Sequence, residues 1–208
     1  MKKCKQCGQT LERERGILIN VILDKSGSMG SVRDDTIGSF NTYVDSQKDA
    51  RFSVTLFDTL VTKRCINKPA KNIEKLTRET YKTSGCTALY DAVGQTLVSV
   101  QSQKKHLPEK VLFVIITDGE ENSSREFTRE KIIDMIDKAR TEDGFEFVFL
   151  GADMDAWAVG HSFGVVNTFN YTNTPDGVRY MTDKIIGATT TYASSKDNLT
   201  DSFFDEKS

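Results

Sequence analysis

One carboxylate and two hydroxyls stand at alternate positions directly after an apolar run near the start of the sequence. Asp24, Ser26 and Ser28 lie in VILDKSGSMG, and Gly27 separates the two serines. Alternate residues of a loop that leaves a strand can turn their side chains toward one point. Aspartate and serine in front of a helix also cap backbone amides, so this segment alone is equally consistent with an N-cap turn.

Two more oxygen-bearing residues stand at comparable places farther along the chain. Thr87 lies in SGCTALYD, just before a helical pattern, and Asp118 lies in ITDGEEN, just after a strand-like run. Because ligands of open α/β sheets bind at the carboxyl ends of central strands, these residues are expected to meet the first loop. Hard oxygen groups suit Mg²⁺ or Mn²⁺ better than metals that prefer thiolate or imidazole. The predicted metal ligands are Asp24, Ser26, Ser28, Thr87 and Asp118.

Alternating strand and helix patterns must position these residues. The runs GILINVILD (16–24), KVLFVIITDG (110–119) and FEFVFLGAD (145–153) are typical of strands covered on both faces. Residues 51–66 read as a hairpin that places one antiparallel strand at the sheet edge. The pattern predicts a three-layer α/β/α sandwich with a mostly parallel central sheet, an α/β fold of Rossmann-like type.

The predicted domain covers residues 16–198, between a tail at 1–15 and a tail at 199–208. The first tail contains CKQCG, in which Cys4 and Cys7 have the spacing of half a zinc knuckle. Because no second C-x-x-C follows, Zn²⁺ would have to be shared with another chain or completed by a partner. Two free thiols are the other reading of this segment.

Composition excludes several kinds of partner. The 208 residues carry a net charge of -2 and no long Lys/Arg run, so nucleic acid is not an expected partner. There is no signal-peptide core and no apolar run of membrane-spanning length, so we expect no membrane partner and a cytoplasmic location. The four cysteines are then expected to be reduced.

The three segments together resemble the metal-ion-dependent adhesion site (MIDAS) of von Willebrand factor A (vWA) domains. The D-x-S-x-S segment from Asp24, Thr87 in SGCTALYDA and Asp118 in ITDGEEN occur in the family's order and at the expected element boundaries. The resemblance runs from about residue 16 to the closing helix. It implies the vWA fold, of the small stand-alone type found in bacterial and phage cytosol, and a place in a multi-protein assembly.

The resemblance also implies which ligands would bind the metal directly and which would bind it through water. Ser26, Ser28 and Thr87 would bind the metal directly, whereas Asp24 and Asp118 would hold it largely through water. Because Mg²⁺ takes about six oxygens in octahedral array, three direct protein ligands leave positions for water or an incoming group. An Asp or Glu carboxylate of another protein is the expected occupant.

Several neighbours are expected at the rim of the site. Gly27 would let the backbone pass close to the ion without a Cβ, and Gly119 follows the last ligand. Asp91 would either orient the site without touching the ion or favour the start of its helix through the dipole. Glu120 and Glu121 either crowd negative charge at the rim or form a solvated turn.

Three other side chains carry simple structural expectations. Lys25 is expected to point to solvent, Cys86 to be a small buried residue, and Trp157 to belong to the core.

Three functions of different classes follow from these patterns. A metal-dependent protein-interaction module is favoured, since neither a Ser-His-Asp or Cys-His arrangement nor a phosphate-binding glycine loop is present in the sequence. The first alternative is a Mg²⁺-dependent phosphoryl-transfer enzyme with Asp24 as nucleophile, although related phosphatases place an Asp where this chain has Ser26. The second alternative is a structural scaffold whose metal site is occupied but engages no partner.

Overall fold

A computed structural model describes residues 16–195 and 203–204. Within them, the chain forms one six-stranded sheet in the order β3-β2-β1-β4-β5-β6. All neighbouring strands are parallel except β2 and β3, which form the antiparallel hairpin predicted for the sheet edge. The strands are β1 (Ile17–Asp24), β2 (Arg51–Phe57), β3 (Val61–Pro69), β4 (Lys110–Thr117), β5 (Glu146–Ala152) and β6 (Asn167–Tyr171).

Helices cover both faces of the sheet. They are α1 (Arg33–Ser46), α2 (Leu89–Gln101), α3 (Arg129–Asp143), α4 (Ala156–Ser162) and α5 (Pro175–Ser194). Residues of α1 and α5 belong to one apolar cluster, and residues of α2, α3 and α4 belong to the other. Alternate residues of β1 enter the two clusters, because successive side chains of a strand point to opposite faces. The predicted three-layer α/β/α sandwich is therefore confirmed.

Local sequence explains where the helices begin and end. Thr128 caps α3 by accepting from the Lys131 N–H, and Gly144 ends that helix with a positive φ of 69°. Pro175 occupies the first turn of α5, where its missing N–H costs nothing.

The central strands fix the location of the site. β1 lies between β2 and β4 in parallel register, with Leu23 opposite Ile116. Both strands therefore end side by side, Asp24 next to the end of β4. The loops that follow β1 and β4 leave the sheet at the same edge.

Two residues from the predicted C-terminal tail pack against the domain. Phe203 is 4 % exposed, lies in the cluster under α1 and α5, and packs against Tyr192 with tilted rings whose centroids are 5.9 Å apart. Phe204 packs against Phe169 on β6 with tilted rings whose centroids are 5.1 Å apart.

Candidate functional site

Asp24 forms the floor of the site at the end of β1. Its side chain is fully buried, at 0 % exposure. One carboxylate oxygen accepts the Ser26 N–H at 2.6 Å, and the other accepts the Thr117 hydroxyl at 2.6 Å. The Tyr81 hydroxyl donates to the Asp24 backbone carbonyl at 2.5 Å. Asp24 is thus held by the loop after β1, by β4 and by the segment before α2.

The two serines connect Asp24 to Asp118. The Ser28 hydroxyl donates to Asp118 Oδ1 at 2.6 Å, and Ser26 Oγ lies 3.1 Å from Ser28 Oγ. Because the single Ser28 proton goes to the carboxylate, Ser26 is the donor in the serine pair. The structure therefore brings four of the five predicted ligands into one continuous hydrogen-bonded chain.

Thr87 lies beside the loop that carries Asp118. It is buried, and a Cβ built on Gly119 would come 3.1 Å from Thr87 Oγ1. Asn122 joins the two segments, since its side chain accepts the Thr87 N–H at 2.8 Å and its own N–H donates to the Thr87 carbonyl at 3.0 Å. Gly119 thus leaves room for the Thr87 hydroxyl at the rim, whereas a Cβ on Gly27 would make only an ordinary 3.6 Å contact with Gly85.

Asp91 organises the loop after β4. Its carboxylate accepts the backbone N–H groups of Arg125, Glu126 and Phe127 at 2.8, 2.9 and 2.9 Å. These contacts go to the loop and away from the five predicted ligands. Glu120 is exposed.

Glu121 has a structural task that the sequence did not reveal. Its carboxylate accepts the backbone N–H groups of Tyr90, Ser123 and Ser124. The prediction of a freely solvated turn is therefore wrong for Glu121, because the start of α2 uses its carboxylate as a cap.

Besides Tyr81 and Asn122, sequence reasoning missed two residues whose side chains donate to the carboxylates of predicted ligands. Thr117, the last residue of β4, donates to Asp24 and accepts the Gly119 N–H at 3.1 Å. Asn173, in the loop before α5, donates from Nδ2 to Asp118 Oδ2 at 3.0 Å. A polar residue at the end of an otherwise apolar strand was the available signal for Thr117. Nothing distinguished Asn173 from the other turn-forming residues around it.

The Asp24 and Asp118 carboxylates are close enough for their negative charges to repel each other. Burial raises the pKa of Asp24 to about 6, and the negative charge of Asp118 adds to that rise. Burial also raises the pKa of Asp118, with a further contribution from Asp153. Lys25, the nearest cation in sequence, is paired with Asp58 and does not neutralise them. The site has a deficit of positive charge that a cation would relieve.

The donor set fits a hard divalent cation. It combines two carboxylates with three hydroxyls, the oxygen chemistry that Mg²⁺ and Mn²⁺ accept. In the part of the chain that the structure describes, no three His, Cys, Asp or Glu side chains are grouped as a metal site. The candidate site is therefore one in which hydroxyl oxygens must supply most of the direct ligands. Cys4 and Cys7, proposed for zinc, lie outside the described residues.

Three expectations about neighbouring side chains are wrong. Lys25 does not point freely to solvent, because its ammonium forms an ion pair with Asp58 and its side chain is largely buried. Cys86 is exposed, and its backbone N–H donates to the Thr59 hydroxyl. Trp157 is 61 % exposed and stacks on His161, with ring centroids 4.4 Å apart. α4 is short, and its buried residues are Ala156 and Gly160.

Solved structures of vWA-type domains share this fold. A von Willebrand factor type A structure from Catenulispora acidiphila has a TM-score of 0.58 and 16% identity, over 84% of this chain and 43% of that one. The vWF domain of the type V pili tip protein Mfa5 from Porphyromonas gingivalis has a TM-score of 0.60 and 10% identity, over 90% and 99%. The manganese-loaded TRAP protein of Plasmodium vivax has a TM-score of 0.52 and 18% identity, over 67% and 58%.

These similarities confirm the resemblance to vWA domains at the level of the fold. Several solved chains that this chain matches are longer, and it spans 43% to 65% of their length. No protein-family model matches the sequence. No curated protein matches it. In the described residues, the helices are all too short or too polar to cross a bilayer.

Proposed function

We propose that this chain is a metal-dependent protein-interaction module whose Mg²⁺ or Mn²⁺ site takes an acidic side chain from a partner protein. The observation that carries the proposal is the continuous chain from Asp24 through Ser26 and Ser28 to Asp118, with Thr87 beside it. The manganese-loaded state of the Plasmodium vivax structure, which has the same fold, supports a divalent cation.

Each residue of the site has a defined task in this proposal. Ser26, Ser28 and Thr87 would hold the cation through neutral oxygens, and Asp24 and Asp118 would balance its charge. A bound Mg²⁺ or Mn²⁺ supplies a Lewis-acidic centre for a partner's carboxylate. Because Ser28 donates its proton to Asp118 and accepts one hydrogen bond from Ser26, one lone pair of its hydroxyl oxygen is left for ligation.

The position of Asp24 argues against the phosphoryl-transfer alternative. A nucleophilic carboxylate needs an oxygen that can approach the substrate phosphorus. Both carboxylate oxygens of Asp24 already accept short hydrogen bonds, and the side chain has no exposed surface. We therefore propose that the chain is not an enzyme. Turnover of a phosphomonoester panel with Mg²⁺, abolished by Asp24→Asn, would reverse this choice.

Calorimetric titration with Mg²⁺ and Mn²⁺ tests the metal site. Wild type is expected to bind one ion, and Thr87→Ala is expected to lose binding by removing one direct ligand. Thr59→Ala is a matched control, because the Thr59 hydroxyl only accepts the Cys86 N–H on the same rim. Absence of uptake by wild type at millimolar concentration would contradict the proposal.

Affinity capture from the native host with and without chelator tests the partner. Partners that are lost with EDTA and with Thr87→Ala would support carboxylate capture by the metal. Partners that are captured equally well with EDTA and with Thr87→Ala would favour the scaffold alternative. The cytosolic location and the stand-alone bacterial or phage type stay predictions from sequence.

A further inference from the structure

Asn173, in the loop between β6 and α5, contacts the candidate metal site. Its Nδ2 donates to Asp118 Oδ2 at 3.0 Å and lies 3.4 Å from Ser31 Oγ. The Ser28 hydroxyl holds the other oxygen of the same carboxylate. Both carboxylate oxygens of Asp118 therefore accept a hydrogen bond, one from the loop after β1 and one from the loop before α5.

This contact is not a by-product of a local turn. The turn before α5 is closed by its own bonds, since Thr174 Oγ1 accepts the Gly177 N–H at 3.1 Å and the Thr174 N–H donates to the Thr172 carbonyl at 2.8 Å. The Asn173 amide takes no part in these bonds. It reaches instead to Asp118, which is 55 residues away in sequence.

The other atom of the Asn173 amide is unpaired. Asn173 Oδ1 is buried and has no hydrogen-bond partner among the residues that the structure describes. A buried amide oxygen without a partner costs free energy, and native proteins leave few such atoms without a reason. The orientation of the amide is fixed by chemistry, because only the nitrogen can donate to a carboxylate.

We propose that Asn173 is a sixth residue of the site: its amide N–H positions Asp118 for the cation, and its Oδ1 accepts a hydrogen bond from water bound to that cation. This inference rests on the proposed metal site. It accounts for both polar atoms of the Asn173 side chain. Nδ2 donates to the Asp118 carboxylate, and Oδ1, which has no partner among the described residues, would accept from a water bound to the cation. Asn173 is a positioning residue and is not itself a direct ligand.

The test compares Asn173→Ala with Asn170→Ala by Mn²⁺ and Mg²⁺ titration of the full chain. Asn170 is the matched control, because its carboxamide accepts the Ala156 N–H and does not touch the cluster. Loss of an outer hydrogen-bond partner of a metal ligand weakens binding by roughly 10- to 100-fold. Asn173→Ala is therefore expected to weaken both ions about 10-fold or more, and Asn170→Ala to leave their affinity at the wild-type value.

Titrations of wild type and of Thr87→Ala separate failure of this inference from failure of the proposed function. Under the proposed function, wild type binds the ion and Thr87→Ala does not. If that holds and Asn173→Ala binds as tightly as wild type, only the role of Asn173 is overturned. A wild type that takes up no ion would overturn the proposed function and this inference together.

Side-chain amide NMR signals give a readout that does not depend on a variant folding. In wild type, Mg²⁺ is expected to shift the Asn173 amide pair and to leave the Asn170 pair in place. An Asn173 pair that does not respond to saturating Mg²⁺ would contradict the proposed contact with the bound water.

Discussion

Asp91→Ala separates the two predicted roles of Asp91 and probes the loop that carries Asp118. The Asp91 carboxylate accepts three backbone N–H groups, from Arg125, Glu126 and Phe127, at 2.8 to 2.9 Å. The structure shows no bond from it to the predicted ligands. We therefore expect the substitution to lower the stability of the metal-free protein and to change metal affinity only indirectly.

The magnitude follows from the bonds that are lost. A hydrogen bond to a charged acceptor contributes roughly 1.5 to 3 kcal/mol, so three would sum to about 5 to 9 kcal/mol if they were independent. The amides of Arg125 and Glu126 lie in exposed residues and can hydrate when the loop loosens, whereas Phe127 is buried. We therefore expect a loss of about 2 to 4 kcal/mol in the free energy of unfolding.

Urea denaturation in EDTA measures this loss, and hydrogen exchange at residues 125–127 localises it. A loss of 2 to 4 kcal/mol corresponds to roughly 4 to 16 °C in Tm for a chain of this size. Asp134→Ala, on an exposed face of α3, controls for the change of residue type. A stability loss below about 1 kcal/mol, combined with a large loss of metal affinity, would refute this reasoning and assign Asp91 to the metal site.

Three other substitutions test the electrostatics of the site, the turn before α5 and the C-terminal contact. Asp24→Asn is expected to stabilise the metal-free protein by up to about 3 kcal/mol at pH 7 and to change its stability little near pH 4. The reason is that burial raises the pKa of Asp24 from 3.8 to about 6, so the ionised carboxylate increasingly destabilises the folded state as the pH rises through that range. Urea unfolding in EDTA at both pH values checks the sign, and destabilisation at pH 7 would contradict it. Gly177→Ala is expected to cost about 1 to 3 kcal/mol, because its Cβ would lie 2.1 Å from the Thr172 carbonyl oxygen. Gly187→Ala, in the same helix with open space around it, should instead gain about 0.5 to 1 kcal/mol. Thermal melts of both variants measure the two changes, and equal effects would refute the steric argument. Phe203→Ala is expected to cost roughly 3 kcal/mol in denaturant unfolding, and a neutral result would show that its burial contributes nothing to the core.

The fold was predictable because its signals are local. Central strands covered on both faces read as uninterrupted apolar runs, and two of the helices have a recognisable start, α3 at the Thr128 cap and α5 at Pro175. The five predicted ligands were recognisable because each stands at the boundary of such an element. Parallel strands then carry those boundaries to one edge of the sheet.

The remaining site residues were not predictable, because their roles depend on pairings between distant segments. Thr117 matters only because β4 lies next to β1, and Asn173 only because the last loop reaches Asp118. Lys25 has the sequence context of an exposed residue, yet the turn after β2 places Asp58 beside it. Such contacts follow from tertiary geometry, which residue type and spacing alone do not encode.

The hydrogen bond between Thr117 and Asp24 links the candidate metal site to the alignment of the two middle strands. Leu23 stands opposite Ile116, so the next position brings the threonine hydroxyl to the aspartate. A slip of one residue between these strands would also exchange the two faces of the sheet. Insertions or deletions inside either strand should therefore disrupt the candidate site together with the fold.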